Sequence, residues 1–389
     1  MQYDTVSLLS MRIKYYDEGI AMEVLEPTKG AVMQRETPKS HHTGFDRLCR
    51  YAEILHFGDV HMKFDHATGL RAIVAIHNLN RGPAIGGCRL ARYATTDDAL
   101  EDALRLAQMM SYKSAINNLA HGGAKAVIMM PKKIIKDRVA FFEAFGNFVQ
   151  ELGGRYITAV DSGTSASDMD IIARKTNFVT CTNTSGNAGD PSPQTAFGVR
   201  RAIEASVKFK MGRDTLEGVH VSIQGAGHVG YYLAKELHVL GARLTMCDVN
   251  PVALQRCVDE FGVSVCAPET IYDVEADVFA PCALGAVLNL VNIKRLKVKI
   301  VAGSANNQLA HHLHGMALHE RGILYAPDFL INAGGLIHVA VIYDHADVNK
   351  AEQQISDIYY TLTEIYERAK FENRPTSEIA EAMALERLS

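Results

Sequence analysis

The feature that most constrains this chain is a strand–turn–helix–strand stretch in its second half. An apolar segment over 219–224 runs directly into Gly-Ala-Gly-His-Val-Gly at 225–230, which opens a helical pattern over 229–240. A second apolar segment over 243–248 ends in Asp248, where an acid meets the ribose hydroxyls of an adenosine. This order and spacing predict a Rossmann-type βαβ unit with a dinucleotide over the glycine-rich turn.

Glycine is needed at each of the three positions of that turn for a different physical reason. Gly225 allows the tight turn, Gly227 lets the backbone approach a pyrophosphate, and Gly230 allows close packing of the helix on the strand. An acid at Asp248 repels a 2′-phosphate and favours NAD over NADP, although Arg243 nearby leaves that preference open. We assign to the cofactor Gly225, Gly227, His228, Val229, Gly230, Asp248 and Asn250.

Length and charge exclude several classes of protein. A chain of 389 residues is long enough for two domains, and 48% hydrophobic residues is too many for a disordered chain. With 40 basic and 44 acidic side chains, it lacks the basic excess of a dedicated nucleic-acid binder. No apolar run approaches the roughly 20 residues that a membrane-spanning helix needs.

The cysteine and histidine patterns argue against a metal site or a disulfide framework. The seven cysteines are odd in number, scattered and never in a C-x-x-C pair. The histidines within 311–319 lack the spacing of a zinc site and indicate a solvated helix face, so no metal is expected. Since residues 1–4 also lack the order of a signal peptide, we expect free thiols and a cytoplasmic location.

Strand and helix patterns also alternate before the dinucleotide unit. Residues 1–44 are polar and turn-forming, an extension of unknown role. Thr96 is the predicted N-cap of an amphipathic helix that carries Lys113 near its C-terminal end. A turn over 122–125 is predicted to lead into a buried strand over 126–130.

A helix over about 135–152 and a strand over 156–160 follow, and the strand runs directly into Asp161. Two prolines and two glycines over 185–193 indicate a linker to the second domain. Near the C-terminus, residues 353–370 are predicted to form one amphipathic helix. This alternation predicts an α/β fold in both domains.

Three side chains are candidates for chemistry. Lys125 lies between a glycine pair and an apolar strand, and a partly buried lysine near another cation can act as a base near neutral pH. Asp161 ends a strand, where active-site carboxylates lie in open α/β sheets. Snorkelling lysines and a turn-forming aspartate would give the same pattern, so Lys113, Lys125 and Asp161 alone leave the chemistry of an NAD-dependent enzyme open.

Several motifs together carry a resemblance to a known family. They include Gly-Pro-Ala-Ile-Gly-Gly-Cys-Arg at 82–89, Gly-Gly-Ala-Lys-Ala-Val-Ile at 122–128 and Tyr-Ile-Thr-Ala-Val-Asp-Ser-Gly-Thr at 156–164. Others lie at 111–113, 187–193, 280–286, 303–308 and 326–335. From residue 45 to the C-terminus, the chain resembles the glutamate/leucine/phenylalanine/valine dehydrogenases, and within them leucine dehydrogenase most closely.

The resemblance implies an α/β fold of two domains. A substrate-binding domain over 45–183 would follow the 1–44 extension, and a doubly wound Rossmann-type NAD domain would span 184–342. Helices over 343–389 would return to the first domain. The implied reaction is reversible oxidative deamination of an L-amino acid to its 2-oxo acid, ammonia and NADH. A homo-oligomer without nucleic-acid or membrane partners is implied as well.

The resemblance also implies roles for individual residues. Lys125 matches the lysine that activates water, Asp161 the acid that exchanges protons with the amino group, and Lys113 the lysine that holds the substrate carboxylate. The matched carboxylate turn and nicotinamide positions are Gly86, Gly87, Thr195 and Asn306.

The residue before the glycine pair bears on the substrate. Glutamate dehydrogenases have a lysine there, whereas this chain has Ile85, beside which a buried substrate carboxylate would be costly. The implied apolar pocket consists of Ile85, Met110, Ala159, Leu336 and Val339. Ala159 resembles the leucine-specific members of the family, whereas Leu336 resembles the phenylalanine-specific ones. One methyl group changes the free energy of discrimination between two substrates by only about 1–3 kcal/mol.

We therefore expect branched aliphatic substrates, namely leucine, valine and isoleucine. Phenylalanine is the alternative substrate. A non-catalytic sensor of NAD or amino acids is a further alternative, which the intact lysines and aspartate disfavour, because a sensor need not keep a general base.

Overall fold

The computed structural model describes residues 57–131, 135–183, 190–344 and 348–388, together with two short strands near the N-terminus. Met1–Thr43 is a unit separate from Gly44–Ser389. Within the first unit, β1 (Lys14–Tyr16) pairs antiparallel with β2 (Gly19–Ala21). The rest of the predicted extension and residues 185–189 of the predicted linker lie outside the described residues.

Five strands form the sheet of the first domain. They are β3 (Asp59–Asp65), β4 (Leu70–Asn78), β5 (Ala84–Ala91), β6 (Gly122–Met129) and β7 (Tyr156–Val160), in the spatial order β3-β4-β6-β5-β7. β5 runs parallel to its neighbours β6 and β7, whereas β4 is antiparallel to β3 and β6. Every residue of β6 is buried, which places this strand at the centre of the domain.

The predicted turn over 122–125 is wrong. Gly122 to Ala124 and Lys125 already belong to β6, and Lys125 pairs with Ala75 of β4. The glycines serve close packing instead, since a Cβ on Gly123 would lie 2.0 Å from the backbone nitrogen of Ser111. Lys125 therefore projects from a rigid, buried strand and not from a loop.

Helices cover both faces of this sheet. α1 (Thr96–Ile116) packs one apolar stripe, which includes Ala103 and Leu104, against Val127. On the other face, α2 (Arg138–Glu151) contributes Phe141, Phe142 and Phe145 to the main core, and α3 (Ala166–Ala173) follows β7.

The N-cap of α1 is Thr95 and not the predicted Thr96. The Thr95 side chain accepts from the Asp98 backbone N–H, and the Asp98 side chain accepts from the Thr95 N–H. This reciprocal capping box decides the boundary, because it requires an acid three residues after the cap and only Thr95 has that spacing to Asp98.

Six parallel strands form the second sheet. They are β8 (His220–Gln224), β9 (Arg243–Cys247), β10 (Ser264–Val265), β11 (Val278–Pro281), β12 (Ile300–Val301) and β13 (Leu324–Tyr325). Their order is β10-β9-β8-β11-β12-β13, which is the doubly wound dinucleotide-binding arrangement. The predicted α/β fold with two domains is thus confirmed.

The helices of this domain are α4 (Ser192–Met211), α5 (His228–Val239), α6 (Pro251–Phe261), α7 (Leu290–Arg295), α8 (His314–Glu320), α9 (Asp328–Ile331) and α10 (Gly334–Tyr343). A 3₁₀ turn covers Ile271–Asp273. Among the helices of the described ranges, none is long and apolar enough to cross a membrane.

Three helices complete the chain: α11 (Val348–Ser356), α12 (Ile358–Glu372) and α13 (Thr376–Leu388). The predicted single helix over 353–370 is wrong, because it is divided at Asp357 between α11 and α12. Asp357 keeps helical φ and ψ, so the division is a local interruption. α12 packs on α4 of the second domain, whereas α13 packs on α1 of the first.

Candidate active site

The strand register places the predicted substrate residues on one face of the first sheet. Ile85 of β5 pairs with Gly123 of β6, and Gly87 pairs with Ala159 of β7. Because alternate residues of a strand point to the same side, Lys125 shares the face of Ile85 and Gly87. Asp161 follows just beyond the end of β7, next to this face.

Gly86 and Gly87 are required by close contact between strands. A Cβ on Gly86 would lie 1.8 Å from the carbonyl oxygen of Ala124. A Cβ on Gly87 would lie 2.7 Å from the carbonyl oxygen of Val160 and 2.8 Å from the Asp161 Cβ. Gly87 therefore makes room for Asp161 and Gly86 for the adjacent strand β6, and the pair leaves backbone as the floor of the site.

Lys125, which is buried, and Asp161, which is partly buried, form an ion pair. The Nζ of Lys125 lies 2.9 Å from Oδ2 of Asp161, with the two side chains 8% and 22% exposed. Burial raises the pKa of Asp161, but the Lys125 and Arg89 cations outweigh burial and hold that pKa below its ordinary value. The carboxylate is thus ionised at neutral pH and can accept a proton from a bound amine.

Lys113 brings a second lysine to this region from the last turn of α1. Burial lowers the pKa of Lys113 to about 8, an effect that Asp328 opposes and the Lys125 cation reinforces. Lys113 is therefore a cation at neutral pH that loses its charge within a mildly alkaline range. Such a group binds an anion well, whereas the Lys125–Asp161 pair suits proton transfer.

The predicted apolar pocket residues come from four elements, namely β5, α1, β7 and α10. Ile85 is fully buried, and Ala159 and Val339 belong to the same core cluster, on which Leu336 of α10 packs. Met110 differs from this set, because among the described residues its neighbour Met109 packs against that cluster and Met110 does not. Met110 stays a predicted pocket residue on the partly buried side of α1.

The glycine-rich turn lies at the switch point of the second sheet. Gly225 has φ +107°, in the region that favours glycine. A Cβ on Gly230 would lie 2.1 Å from the Gly225 carbonyl oxygen, whereas a Cβ on Gly227 would have no atom of the described residues within 4 Å. In the described part of the chain no side chain caps this end of α5, so its first N–H groups can bind an anion. The turn fits a pyrophosphate.

The side chains of Asp248 and Asn250 both accept hydrogen bonds from backbone N–H groups of the protein. Asp248 accepts from the N–H of Ala226 at 2.6 Å and of Asn250 at 2.7 Å, which ties the end of β9 to the glycine-rich turn. The Asn250 side chain is the N-cap of α6 and accepts from the Val252 N–H at 3.0 Å. Its observed contacts are those of a helix cap.

The two residues between the second and third glycines face different surroundings. The exposed His228 ring places Nδ1 3.0 Å from Oδ2 of Asp190, which belongs to the predicted linker. Val229 packs against the core cluster, so its backbone N–H and not its side chain is suited to a phosphate.

The predicted nicotinamide residues lie near α4 and the segment after β12. The hydroxyl of Thr195 donates to the Pro191 carbonyl at 3.1 Å, and the Asn306 Oδ1 accepts from the Asn332 Nδ2 at 2.8 Å. The buried Oδ1 of Asn332 has no hydrogen-bond partner among the described residues, and such an acceptor fits the amide donor of a nicotinamide.

Sequence reasoning missed several polar residues of the site. Asp328 is buried, and its carboxylate accepts from the N–H groups of Gln308 at 2.8 Å and Phe329 at 2.7 Å. Burial raises its pKa, against the backbone donors and Lys113. Its place just beyond β13 resembles that of Asp161 beyond β7 and could have identified it. Arg89 and Asn332 lie inside motifs that were recognised but were given no role.

Two family models match the chain. One, described as "Glu/Leu/Phe/Val dehydrogenase, dimerisation domain", matches residues 54–178. The other, described as "Glutamate/Leucine/Phenylalanine/Valine dehydrogenase", matches residues 252–387.

Individual proteins are similar over most of their length. The leucine dehydrogenase of Geobacillus stearothermophilus is 46% identical over 88% of this chain and 93% of its own. The phenylalanine dehydrogenase of Bacillus thermotolerans is 39% identical over 92% of this chain and 93% of its own. The crystal structure of L-tryptophan dehydrogenase from Nostoc punctiforme matches with a TM-score of 0.77 and 37% identity, over 87% of this chain and 98% of the other.

Proposed function

The chain belongs to the glutamate/leucine/phenylalanine/valine dehydrogenase family and is an NAD-dependent amino acid dehydrogenase, and we propose that its substrates are branched-chain aliphatic L-amino acids. Its family membership confirms the resemblance found in the sequence. The proposed reaction is the reversible oxidative deamination of leucine, valine or isoleucine to the 2-oxo acid, ammonia and NADH.

The observation that carries this proposal is the surroundings of Ile85. Ile85 is fully buried in β5, one residue before the glycine pair that borders Asp161. A glutamate side-chain carboxylate placed there would lose its hydration without gaining a partner. An aliphatic side chain would gain from burial at the same place.

The proposed binding mode begins with the substrate carboxylate. Lys113 is the cation that holds it, and the backbone floor at Gly86 and Gly87 lets the carboxylate approach the sheet closely. Fixing this end of the substrate orients its Cα and amino group toward the Lys125–Asp161 pair. Ile85, Met110, Ala159, Leu336 and Val339 then surround the substrate side chain.

Proton transfer is assigned to the ion pair. Asp161 takes a proton from the substrate ammonium, because Cα can release hydride readily only when the amine is neutral. After hydride has left, water adds to the substrate carbon that is then double-bonded to nitrogen, and ammonia leaves from that carbon. Lys125 serves this water as acid and base and stabilises the developing charge on its oxygen. NAD, when bound, supplies the hydride acceptor. We assign its binding to Gly225, Gly227, His228, Val229, Gly230, Asp248, Asn250, Thr195 and Asn306.

The proposal includes a homo-oligomer in the cytoplasm. It is supported by the match to a model described as a dimerisation domain, and by the scattered cysteines of the sequence. The partners are the amino acid, the 2-oxo acid and ammonia, with no metal.

Phenylalanine is the second candidate substrate. It is favoured by Leu336 and by the similarity to a phenylalanine dehydrogenase over 92% of this chain. Ala159 in place of glycine favours the aliphatic substrates, since a methyl group narrows the pocket.

A panel of amino acids tests the proposal. NADH formation at mildly alkaline pH would be followed with leucine, valine, isoleucine, phenylalanine, tryptophan and glutamate. We expect the highest kcat/KM with an aliphatic substrate and no measurable turnover of glutamate. A higher kcat/KM with phenylalanine would replace the proposed substrate class, and inactivity with the whole panel would refute the proposal.

Variants of the ion pair test the catalytic roles. K125A and D161N should each lower kcat by about 10²- to 10⁴-fold, because general acid–base catalysis contributes that much. The exposed surface variant K235Q serves as a control and should keep wild-type activity. Turnover that is untouched in K125A would refute the role of Lys125, whereas NAD binding by a wild-type protein without turnover would favour the sensor alternative.

A further inference from the structure

Arg89 lies at the centre of a row of polar contacts behind Asp161. Its Nε donates to Oδ2 of Asp161 at 3.2 Å, and its Nη1 donates to Oδ2 of Asp102 at 2.9 Å. The Tyr93 hydroxyl donates to the same oxygen of Asp102 at 2.5 Å. The side chains of Arg89, Asp102 and Asp161 are only 22% to 29% exposed, so solvent screens these contacts less than surface ion pairs.

The two cations beside Asp161 bind the same carboxylate oxygen. Oδ2 accepts from Arg89 Nε and lies 2.9 Å from Lys125 Nζ. Because both cations lie on Oδ2, we assign proton exchange with a substrate amine to the other oxygen, Oδ1, and the Ser162 backbone N–H also hydrogen-bonds to the carboxylate. Two donors on one oxygen fix the rotation of the carboxyl group more firmly than one.

The contacts of Arg89 join three elements of the site. Arg89 lies on β5, two residues after Gly87, and so shares the face of Lys125. Asp161 follows β7, and Asp102 belongs to α1, the helix that carries Lys113. Arg89 therefore connects the elements that supply Asp161 and Lys113, while Lys125 lies on β6, the strand next to β5.

We propose that Arg89, held by Asp102, is a positioning residue that orients the Asp161 carboxylate for proton exchange. The inference rests on the roles proposed above for Lys125 and Asp161. Arg89 acts through Asp161 and is not itself assigned a contact with the substrate. An arginine suits this position because its planar fork can bond two carboxylates at once, whereas a lysine presents a single compact charge.

R89Q tests the role directly. We expect kcat to fall about tenfold or more, because a small displacement of a reacting group has effects of that size. The KM for NAD should not change. The pH profile of kcat/KM for leucine should move to higher pH, since loss of a cation favours the protonated form of each neighbouring group.

R89K and D102N separate charge from geometry. R89K keeps the cation but not the fork, so we expect a pH profile near that of wild type with a lowered kcat. D102N removes a negative charge and should move the profile to lower pH, opposite to R89Q. R105Q changes the same charge on the exposed side of α1 and should change neither kcat nor the profile.

The outcomes distinguish this inference from the proposed function. If R89Q and D102N keep the wild-type kcat and profile while K125A and D161N are inactive, the inference is wrong and the proposed function stands. A lowered melting temperature of R89Q without a shifted profile would show a structural role and would also overturn it. If K125A and D161N are fully active, the proposed roles fail instead.

Discussion

Lys113 shows how position alone sets the charge of a residue. Burial lowers its pKa to about 8, although Asp328 and Asp161 oppose this effect. Below that pH the side chain is a cation, and above it the side chain is neutral. Its attraction for a carboxylate is therefore present at neutral pH and is lost as the pH rises through about 8.

We predict a pH-dependent affinity for carboxylates that follows from this titration. 4-Methylpentanoate has the carboxylate and side chain of leucine but no amine, so its own charge is constant near neutral pH and above. Its inhibition constant should rise about tenfold per pH unit above pH 8, because binding then requires protonation of Lys113. Inhibition of NADH formation, measured between about pH 7 and about pH 9.5, checks this.

K113R is the matched control for this prediction. Its guanidinium stays protonated throughout the same range, so the inhibition constant should be nearly independent of pH. An inhibition constant of the wild-type protein that does not change across the range would contradict the assignment of Lys113.

At the scale of elements, the glycine-rich turn shows that two nearby glycines do different work. Gly230 lets α5 pass close to the turn, where a Cβ would lie 2.1 Å from the Gly225 carbonyl oxygen. Among the residues that the structure describes, none fills the space where a Gly227 Cβ would be, and no side chain caps the start of α5 there. Gly230 is therefore needed for the packing of the fold, and Gly227 is needed for the ligand.

We predict that alanine at these two positions has different effects. G230A should lower the free energy of unfolding by about 1–3 kcal/mol, as overpacking does. G227A should leave the melting temperature unchanged but weaken NAD binding about tenfold, or ~1.4 kcal/mol, because its methyl group would occupy the space of the pyrophosphate. Thermal unfolding and NAD titration of both variants measure the difference. Equal loss of stability in both would contradict it.

The elements that sequence predicts best are those with a local signal. The strand Tyr156–Val160 was predicted with its observed bounds, because an apolar run ends there at a polar turn. The division at Asp357 has no such signal, since the apolar pattern continues through it. Lys125 was found as a candidate, yet the strand that carries it was predicted to begin too late, because glycine pairs usually mark turns.

Contacts between distant segments could not be predicted in the same way. Arg89 and Asp102 lie on a strand and a helix, and their ion pair depends on how α1 packs on the sheet. Asp328 and Lys113 are far apart in sequence and belong to different domains. Their electrostatic interaction follows from the tertiary structure and not from any local pattern.

At the scale of the whole molecule, the C-terminal helix α13 makes hydrogen bonds to the first domain. Arg387 Nη1 donates at 2.6 Å to the carbonyl of Ile116, which is the last residue of α1. Asn80 and Arg81 donate to the carbonyls of Leu388 and Arg387 at 3.1 and 2.9 Å. The final helix thus supports α1 close to Lys113.

We predict that R387A weakens amino acid binding without affecting NAD. It removes the donor to the Ile116 carbonyl, which should lower the free energy of unfolding by about 1–3 kcal/mol and loosen the end of α1. The KM for leucine should rise, whereas the affinity for NAD should not change.

E364Q is the control for this prediction. It breaks only the exposed pair of Arg387 and Glu364 and should lower the free energy of unfolding by about 0–1 kcal/mol. Steady-state kinetics and urea unfolding of both variants test this. A similar rise in the KM for leucine in E364Q would contradict the role given to the Ile116 contact.

The contacts of α13 also bear on the order of events during synthesis. The ribosome makes the chain from its N-terminus, and domains generally fold as units as they emerge. Residues 190–344 can form their parallel sheet while the partner of α1 is still untranslated. The first domain in the sequence is therefore completed after the second, because the Lys113 end of α1 gains the support of α13 only once residues 376–388 have been synthesised.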